Sequence, residues 1–565
     1  MSFINKEKQE QISLRLKTIY PDGLPEGFMD KMLDEIRAHI QPQSAHSKWD
    51  ESDIVLITYG DSIVSPPEKG LKVLHRFLHK HLSDELSFVH ILPFYPYTSD
   101  DGFSVVDYIK VNPDLGTWDD IDRLHKDFDL MFDLVINHIS QKSEWFQNYL
   151  EGRSPGRDYF IEVDPQTDLT CVVRPRSLPL LTPFDTSRGT KYVWTTFSGD
   201  QIDLDFSNPE VLFQMVKVLL HYLDKGARMV RMDAIAFLWK EIGTTCLHLP
   251  QTHDVVKLLR DIMEIVRPDS ILLTETNVPN SENLSYFDNG DEAHAVYQFP
   301  LPPLLLHALY SGNAQYFNEW ASTIPILPQD ATFFNFTASH DGVGLRPLEN
   351  LIPDREIQQL ADAMQKLGGQ ISTRRRSDGS DSPYEINISY FDAMQACHAG
   401  IDEMQEQRFL ASQTLLMVMK GMPAFYIHSL VAGHNDYRGM EKTGRARSIN
   451  RRKWDEKELD ALLNGDNEHS RILRALKHRI SIRKKQPAFH PDARQEIIDL
   501  GDQIIAIKRT SDDRKQVILC LTNISNKAVK LEYGDFPDFD LLTNKKIEAA
   551  SDGWEIMPYQ ILWLL

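Results

Sequence analysis

The chain has 565 residues, with Lys+Arg 61 against Asp+Glu 82 and a formal net charge of −21. That length exceeds one small core and predicts two or more domains, while 42% hydrophobic and 10% aromatic content describe a globular protein. So negative a surface repels phosphate backbones and anionic lipid, which excludes nucleic acid and membrane as main partners.

Residues 1–49 predict a helical extension packed on the main domain. Ile12, Leu14, Leu16 and Ile19, then Met29, Met32, Leu33, Ile36 and Ile40, recur at three-and-four spacing, and Pro21 and Pro25 break the two stretches. The first residues contain no apolar signal segment, and no apolar run is long enough for a bilayer span. Cys171, Cys246, Cys397 and Cys520 lie far apart and form no CxxC pair. Neither a disulfide framework nor a zinc site is indicated, and reduced thiols in the cytoplasm are the expectation.

From about residue 50 to 486, short apolar runs alternate with longer amphipathic stretches. The runs are 54–59, 88–92, 130–136, 228–232, 271–275, 294–299, 332–337 and 423–427. Eight parallel strands with helices between them predict an α/β fold, a (β/α)8 TIM barrel with its site at the strand C-terminal ends. A doubly wound sheet competes, but no Gly-rich phosphate loop follows the first run. Two insertions break the rhythm: 152–196 after the third strand, read as a small irregular subdomain, and 346–390 after the seventh, read as a loop-rich lid. Residues 487–565 turn to short alternating runs and predict a C-terminal antiparallel β domain, a small sandwich.

The strand ends carry polar residues. Asp133 leads to Asn137 and His138; Arg231 and Asp233 sit two apart and point the same way from one strand; Glu275 ends the fifth run; His340 and Asp341 follow the seventh. In a barrel these converge on one mouth. Asp233, Glu275 and Asp341 cannot all be charged and close without help, so mutual repulsion is expected to raise at least one carboxyl pKa. One ionised and one protonated carboxyl is what glycosidic chemistry requires. A metal is the rival use of such a cluster, but Arg231 beside a cation is unfavourable, so no metal is expected.

These segments resemble the α-amylase family of retaining glycoside hydrolases and transglycosidases. The resemblance implies Asp233 as nucleophile, Glu275 as acid/base and Asp341 as the group that holds sugar hydroxyls. It further implies that Arg231 orients Asp233, that His138 and His340 bond the sugar ring, and that Phe237 lies against it. Segments 88–96, 99–108, 173–176, 243–246, 299–307 and 448–451 are similar to the sucrose phosphorylase group of that family. By that likeness Asp100 and Arg447 close the glucose pocket, Phe103 walls it, and the donor is a single α-glucosyl unit. The longer chain, 274–279 and the acceptor-side segment from Arg374, Arg375 and Arg376 to Asn387 look most like the glucosylglycerate phosphorylases.

That branch implies a glycosyltransferase that exchanges glycerate for phosphate on glucose. Inorganic phosphate is then a co-substrate and no cofactor is expected. Both aglycones are anions, which calls for arginine; Arg174, Arg176 and Tyr384 are the expected acceptor-side residues. Sucrose phosphorylase, sucrose 6-phosphate phosphorylase and an α-glucosidase-type hydrolase are the alternatives. A non-catalytic amylase-like binding subunit is disfavoured by the complete carboxylate set.

Overall fold

Each of the eight apolar runs coincides, to within a few residues, with a strand of one closed parallel barrel. The strands are β1 (Val55–Thr58), β2 (Phe88–Ile91), β3 (Asp129–Leu134), β4 (Ala227–Met232), β5 (Ile271–Thr274), β6 (Ala295–Tyr297), β7 (Thr332–Phe336) and β8 (Met422–Tyr426). Each pairs with its neighbours in sequence, and β8 returns to β1. The computed structural model describes residues 4–42, 47–175, 178–375, 381–532, 536–547 and 553–565.

The strands are buried at nearly every residue because both faces are covered, by the barrel interior and by the helical shell. Apolar runs overshoot the strands where buried chain continues into the mouth. The third run extends to 136, but β3 ends at Leu134, and Val135 and Ile136 stay buried while the chain turns. His138–Ser140 then pairs antiparallel with Gln201–Asp203. The helix before β4, Pro209–Asp224, starts where proline needs no N–H partner, with the Asn208 side chain accepting from the Glu210 amide.

At the N-terminus, α1 (Lys6–Ile19) packs on the barrel helix Pro250–Val266, with Arg15 paired to Asp261 at 3.1 Å and to Asp291 at 2.7 Å. The second helix, α2 (Phe28–Ala38), sets Phe28 edge-on against Phe213. The aromatic stretch after β2 is packing, as Tyr95 is fully buried and stacks on Tyr222 at 5.1 Å.

Both insertions are more ordered than their composition implied. The first folds an antiparallel hairpin, Leu181–Thr186 with Gly189–Trp194, over a small apolar cluster that includes Val163, Val172 and Trp194. The second is not loop-rich. It holds a helix, Asp354–Lys366, and an antiparallel pair, Gln370–Arg375 with Asp381–Asn387. Ile357, Leu360, Ala361 and Met364 form the buried stripe of that helix, a helical period that the nearby glycine and arginine runs obscured.

The C-terminal domain is a six-stranded antiparallel sheet. Alternation sorts its two faces. Ile504, Ala506, Leu519, Leu521, Leu562 and Leu564 pack with Leu531, Trp554 and Ile556 of a two-stranded ribbon. The opposite set, Ile505, Ile507, Ile518, Cys520 and Trp563, joins the main core.

Candidate active site

Strand register builds the centre of the site. Pairing of β3 with β4 sets Asp133 level with Arg231, so their side chains share one side of the sheet. Arg231 Nη1 pairs with Asp133 Oδ1 in a fully buried contact, and the His90 ring meets the other Asp133 oxygen at 2.6 Å. Burial would raise the Asp133 pKa, but His90 and Arg231 beside it hold it below the ordinary value. Two residues beyond Arg231, Asp233 Oδ1 accepts from the same Nη1 at 2.8 Å. Arg231 Nη2 lies 3.7 Å from Glu275 Oε2.

The chain turns sharply after Asp233. Ala234 takes φ +50°, a left-handed conformation that costs an alanine about 1–2 kcal/mol. The turn aims the Ala234 amide at Glu275, which accepts from it at 3.0 Å. Burial lifts the Asp233 carboxyl to about 8 against the pull of Arg231, with Glu275 pushing it further up. Burial likewise lifts Glu275, with Asp341 adding to the push. Desolvation, more than the expected repulsion, is the leading cause. The pair therefore keeps a proton at neutral pH. Arg231 hydrogen-bonds Asp233 but stands farther from Glu275, so ionised Asp233 with protonated Glu275 is the favoured arrangement.

A second cluster forms beyond β7. Arg447 Nη1 donates to Asp341 Oδ1 at 2.5 Å, and its Nε lies 3.0 Å from Glu385 Oε1. Glu385 also accepts from the Gly342 amide at 2.6 Å, fastening the second insertion to the mouth. A Cβ at Gly342 would meet Glu385 Cγ at 2.6 Å and the Ile386 carbonyl at 2.7 Å, so the site demands glycine. Burial would raise the Asp341 pKa, but the surrounding charges, Arg447 foremost, hold it well below the carboxylate range. Burial pushes the His340 ring down to about 3, leaving it neutral. Phe103 stacks on His340 at 4.9 Å. Asp100 accepts from Gln201 at 3.2 Å and adds attraction on Arg447. Asp100 and Asp101 both hold positive φ, a conformation that aspartate tolerates better than most residues.

One cleft gathers these groups. Asp233, Glu275, Asp341, Asp100, Phe103, His138, Arg231, Phe237, His340, Arg447 and Tyr384 all line it. His138 Nε2 meets the Phe103 carbonyl at 2.8 Å. Of the expected acceptor-side arginines, Arg176 lies outside the described residues, as do Arg376 and the Arg375 side chain. Arg174 is exposed and off the cleft, whereas its neighbour Pro175 lines it, as alternate residues of an extended segment do. Arg374 turns away to pair with Glu349. Sequence reasoning missed Phe197, Gln201, Asn277 and Arg346 on the cleft wall, and His90 and Glu385 behind it. His90, Asn277 and Glu385 fall in segments that carry the resemblance, 88–96, 274–279 and 374–387, whereas Phe197, Gln201 and Arg346 fall in none of them.

The cleft carboxylates contact Arg231 and Arg447, a donor set unlike that of a metal ion. Among the described residues, His434, Glu468 and His469 bring possible ligand atoms within 4.8 Å of one another. That group lies off the cleft and is satisfied internally: the His434 ring meets Asp392 at 2.6 Å and the His469 ring meets the Val431 carbonyl at 2.6 Å.

A closed parallel barrel with a carboxylate trio and an arginine at its mouth defines the α-amylase class. The family described as the alpha amylase catalytic domain matches residues 84–335. A glucosylglycerate phosphorylase of Escherichia coli is 42% identical over 98% of this chain and 100% of its own. One from Spirochaeta thermophila is 46% identical over 84% of this chain and 81% of its own. The crystal structure of sucrose 6F-phosphate phosphorylase from Thermoanaerobacter thermosaccharolyticum superposes with a TM-score of 0.73 at 26% identity, covering 84% of this chain and 94% of that one. The chain belongs to the glucosylglycerate phosphorylases, a branch of the α-amylase family.

Proposed function

We propose that the protein catalyses reversible phosphorolysis of 2-O-α-D-glucosylglycerate to α-D-glucose 1-phosphate and D-glycerate, with retention. The observation that carries this reading is the near full-length likeness to the Escherichia coli glucosylglycerate phosphorylase. The cleft supplies the chemistry. Ionised Asp233 attacks the anomeric carbon while Glu275 gives its proton to the departing glycerate oxygen, leaving a β-glucosyl ester on Asp233. Phosphate takes the place of glycerate and attacks the same carbon. Glu275 recovers a proton, Asp233 is released, and α-glucose 1-phosphate forms.

Asp341, Arg447, Asp100 and His138 hold the glucosyl hydroxyls, and Phe103, Phe237 and His340 wall the ring. Tyr384 and Arg176 stand on the acceptor side in this reading, and Arg174, off the cleft, has no part in it. Phosphate is a co-substrate and the carboxylates act without a cofactor. The reading includes a cytoplasmic place: the four cysteines are free thiols, and no helix among the described residues is long and apolar enough to cross a membrane.

The test is purified protein with α-glucosylglycerate and phosphate. Glucose 1-phosphate is the expected product. Free glucose as the main product would instead make it a hydrolase, and an acceptor panel of glycerate, fructose and fructose 6-phosphate with glucose 1-phosphate separates the phosphorylases.

A further inference from the structure

Among the described residues, three arginines line the cleft: Arg231, Arg346 and Arg447. Two are committed. Arg231 serves Asp133 and Asp233, and Arg447 serves Asp341 and Glu385. Arg346 is different. Its Nε, like that of Arg231, is buried with no acceptor among the described residues, but among those residues no carboxylate stands at hydrogen-bond distance from it, as Asp233 does from Arg231 and Asp341 from Arg447. The nearest carboxylate, Glu349, stands 4.0 Å away and is itself paired with Arg374. The side chain is only 12% exposed. A buried guanidinium N–H without a hydrogen-bond acceptor is costly to hold, and an anion is a group that relieves it.

The position is built rather than accidental. Val343–Gly344 pairs with the second insertion, Val343 opposite Ile386 and Gly344 opposite Glu385. The Leu345 amide donates to the Tyr384 carbonyl at 2.9 Å. Arg346 opens the short helical turn that follows, with Pro347 next to it limiting the backbone. Asn277, two residues past Glu275, packs on Gly344. Arg346, Tyr384 and Asn277 thus share the cleft wall that joins the acid/base strand to the insertion, while Asp100, Phe103, Asp341 and Arg447 belong to the glucosyl end.

We propose that Arg346 is the anion anchor of the acceptor side, receiving the carboxylate of glycerate and, after it leaves, phosphate. This rests on the proposed phosphorolysis. A planar guanidinium fork accepts either oxyanion, and the two occupy the place in turn, so one cation serves both half-reactions. The same contact explains acceptor choice: glycerol offers the same hydroxyls without a charge.

The experiment compares the parent enzyme with R346Q and R346K in both directions. In R346Q the KM for phosphate in phosphorolysis and the KM for glycerate in synthesis are each expected to rise about tenfold or more, the scale of one lost charge-assisted hydrogen bond. The kcat is expected to change less than either KM. The preference for glycerate over glycerol is expected to collapse, and R346K to recover part of it. Melting close to the parent shows that the variants are folded. Both KM values within about twofold of the parent, in folded R346Q, overturn the assignment. A rise for one anion alone overturns the shared site. A parent enzyme inert toward glycerate overturns the proposed activity, a separate outcome from the first two.

Discussion

Arg231 offers a single nitrogen, Nη1, to both Asp133 and Asp233. Asp133 lies level with Arg231 on the next strand and anchors the guanidinium from below, and Asp233 meets it from the strand end. The guanidinium is thereby fixed where it favours ionised Asp233. Replacing it with lysine keeps a charge but loses the planar fork. R231K is expected to lower kcat about 100-fold or more, as loss of a preorganised electrostatic contact does. Because Arg231 pulls the Asp233 pKa down, the acidic limb of the kcat/KM profile is expected to move to higher pH. An unmoved limb in an otherwise active variant would show that Arg231 does not tune the nucleophile.

The two carboxylates are separable by leaving group. E275Q is expected to cut cleavage of glucosylglycerate by about 10²–10⁴-fold, the usual weight of a general acid. It is expected to retain glucosyl transfer from α-glucosyl fluoride to phosphate, since fluoride needs no proton and phosphate arrives as an anion. D233N is expected to lose both reactions. Equal losses in E275Q with the two donors would contradict the assignment.

The same pair shapes stability. The Asp233–Glu275 pair binds its proton more tightly in the fold than in the unfolded chain, because burial raises both carboxyls, Asp233 to about 8. That contribution is fully present below the unfolded value, near about 3.9, and is lost as pH rises through 8. D233N removes the ionisable group. It is expected to melt above the parent at pH 8, by about 1.4 kcal/mol for each unit of pKa shift relieved. The gap is expected to close near pH 4. Calorimetry from pH 4 to 9 measures it, and a pH-independent difference would speak against the shift.

Glu385 ties together three parts of the chain that are distant in sequence: the turn at Gly342, the hairpin strand Asp381–Asn387 and Arg447. E385Q keeps an acceptor for the Gly342 amide but removes a charge facing Arg447. The KM for the glucosyl donor is expected to rise severalfold with kcat less affected. G342A is expected to do more harm, because its Cβ has no room against the Ile386 carbonyl. Steady-state kinetics with melting curves distinguishes the two, and a G342A variant indistinguishable from the parent would mean that the contact is loose.

Much of this was legible in the chain. The β/α alternation is a local property, so each barrel strand showed as an apolar run, and the residues at the strand ends were known to meet once the runs numbered eight. The relation of Arg231 to Asp233 needed only the two-residue period of a strand. The helix Asp354–Lys366 carries its period in Ile357, Leu360 and Met364, but the glycine and arginine runs beside it give the segment the composition of a loop.

The amino-acid sequence by itself determined the barrel, the order of its strands and which carboxylates reach the mouth, because those follow from periodicities of a few residues. Only the tertiary structure decided what each charge touches. Arg447 bonds Asp341 and Glu385, which no local pattern announced, and Arg346 faces the cleft while Arg374 turns to Glu349. These pairings join residues far apart in the chain. They depend on where two insertions fold back over the mouth, and no local pattern encodes that distance.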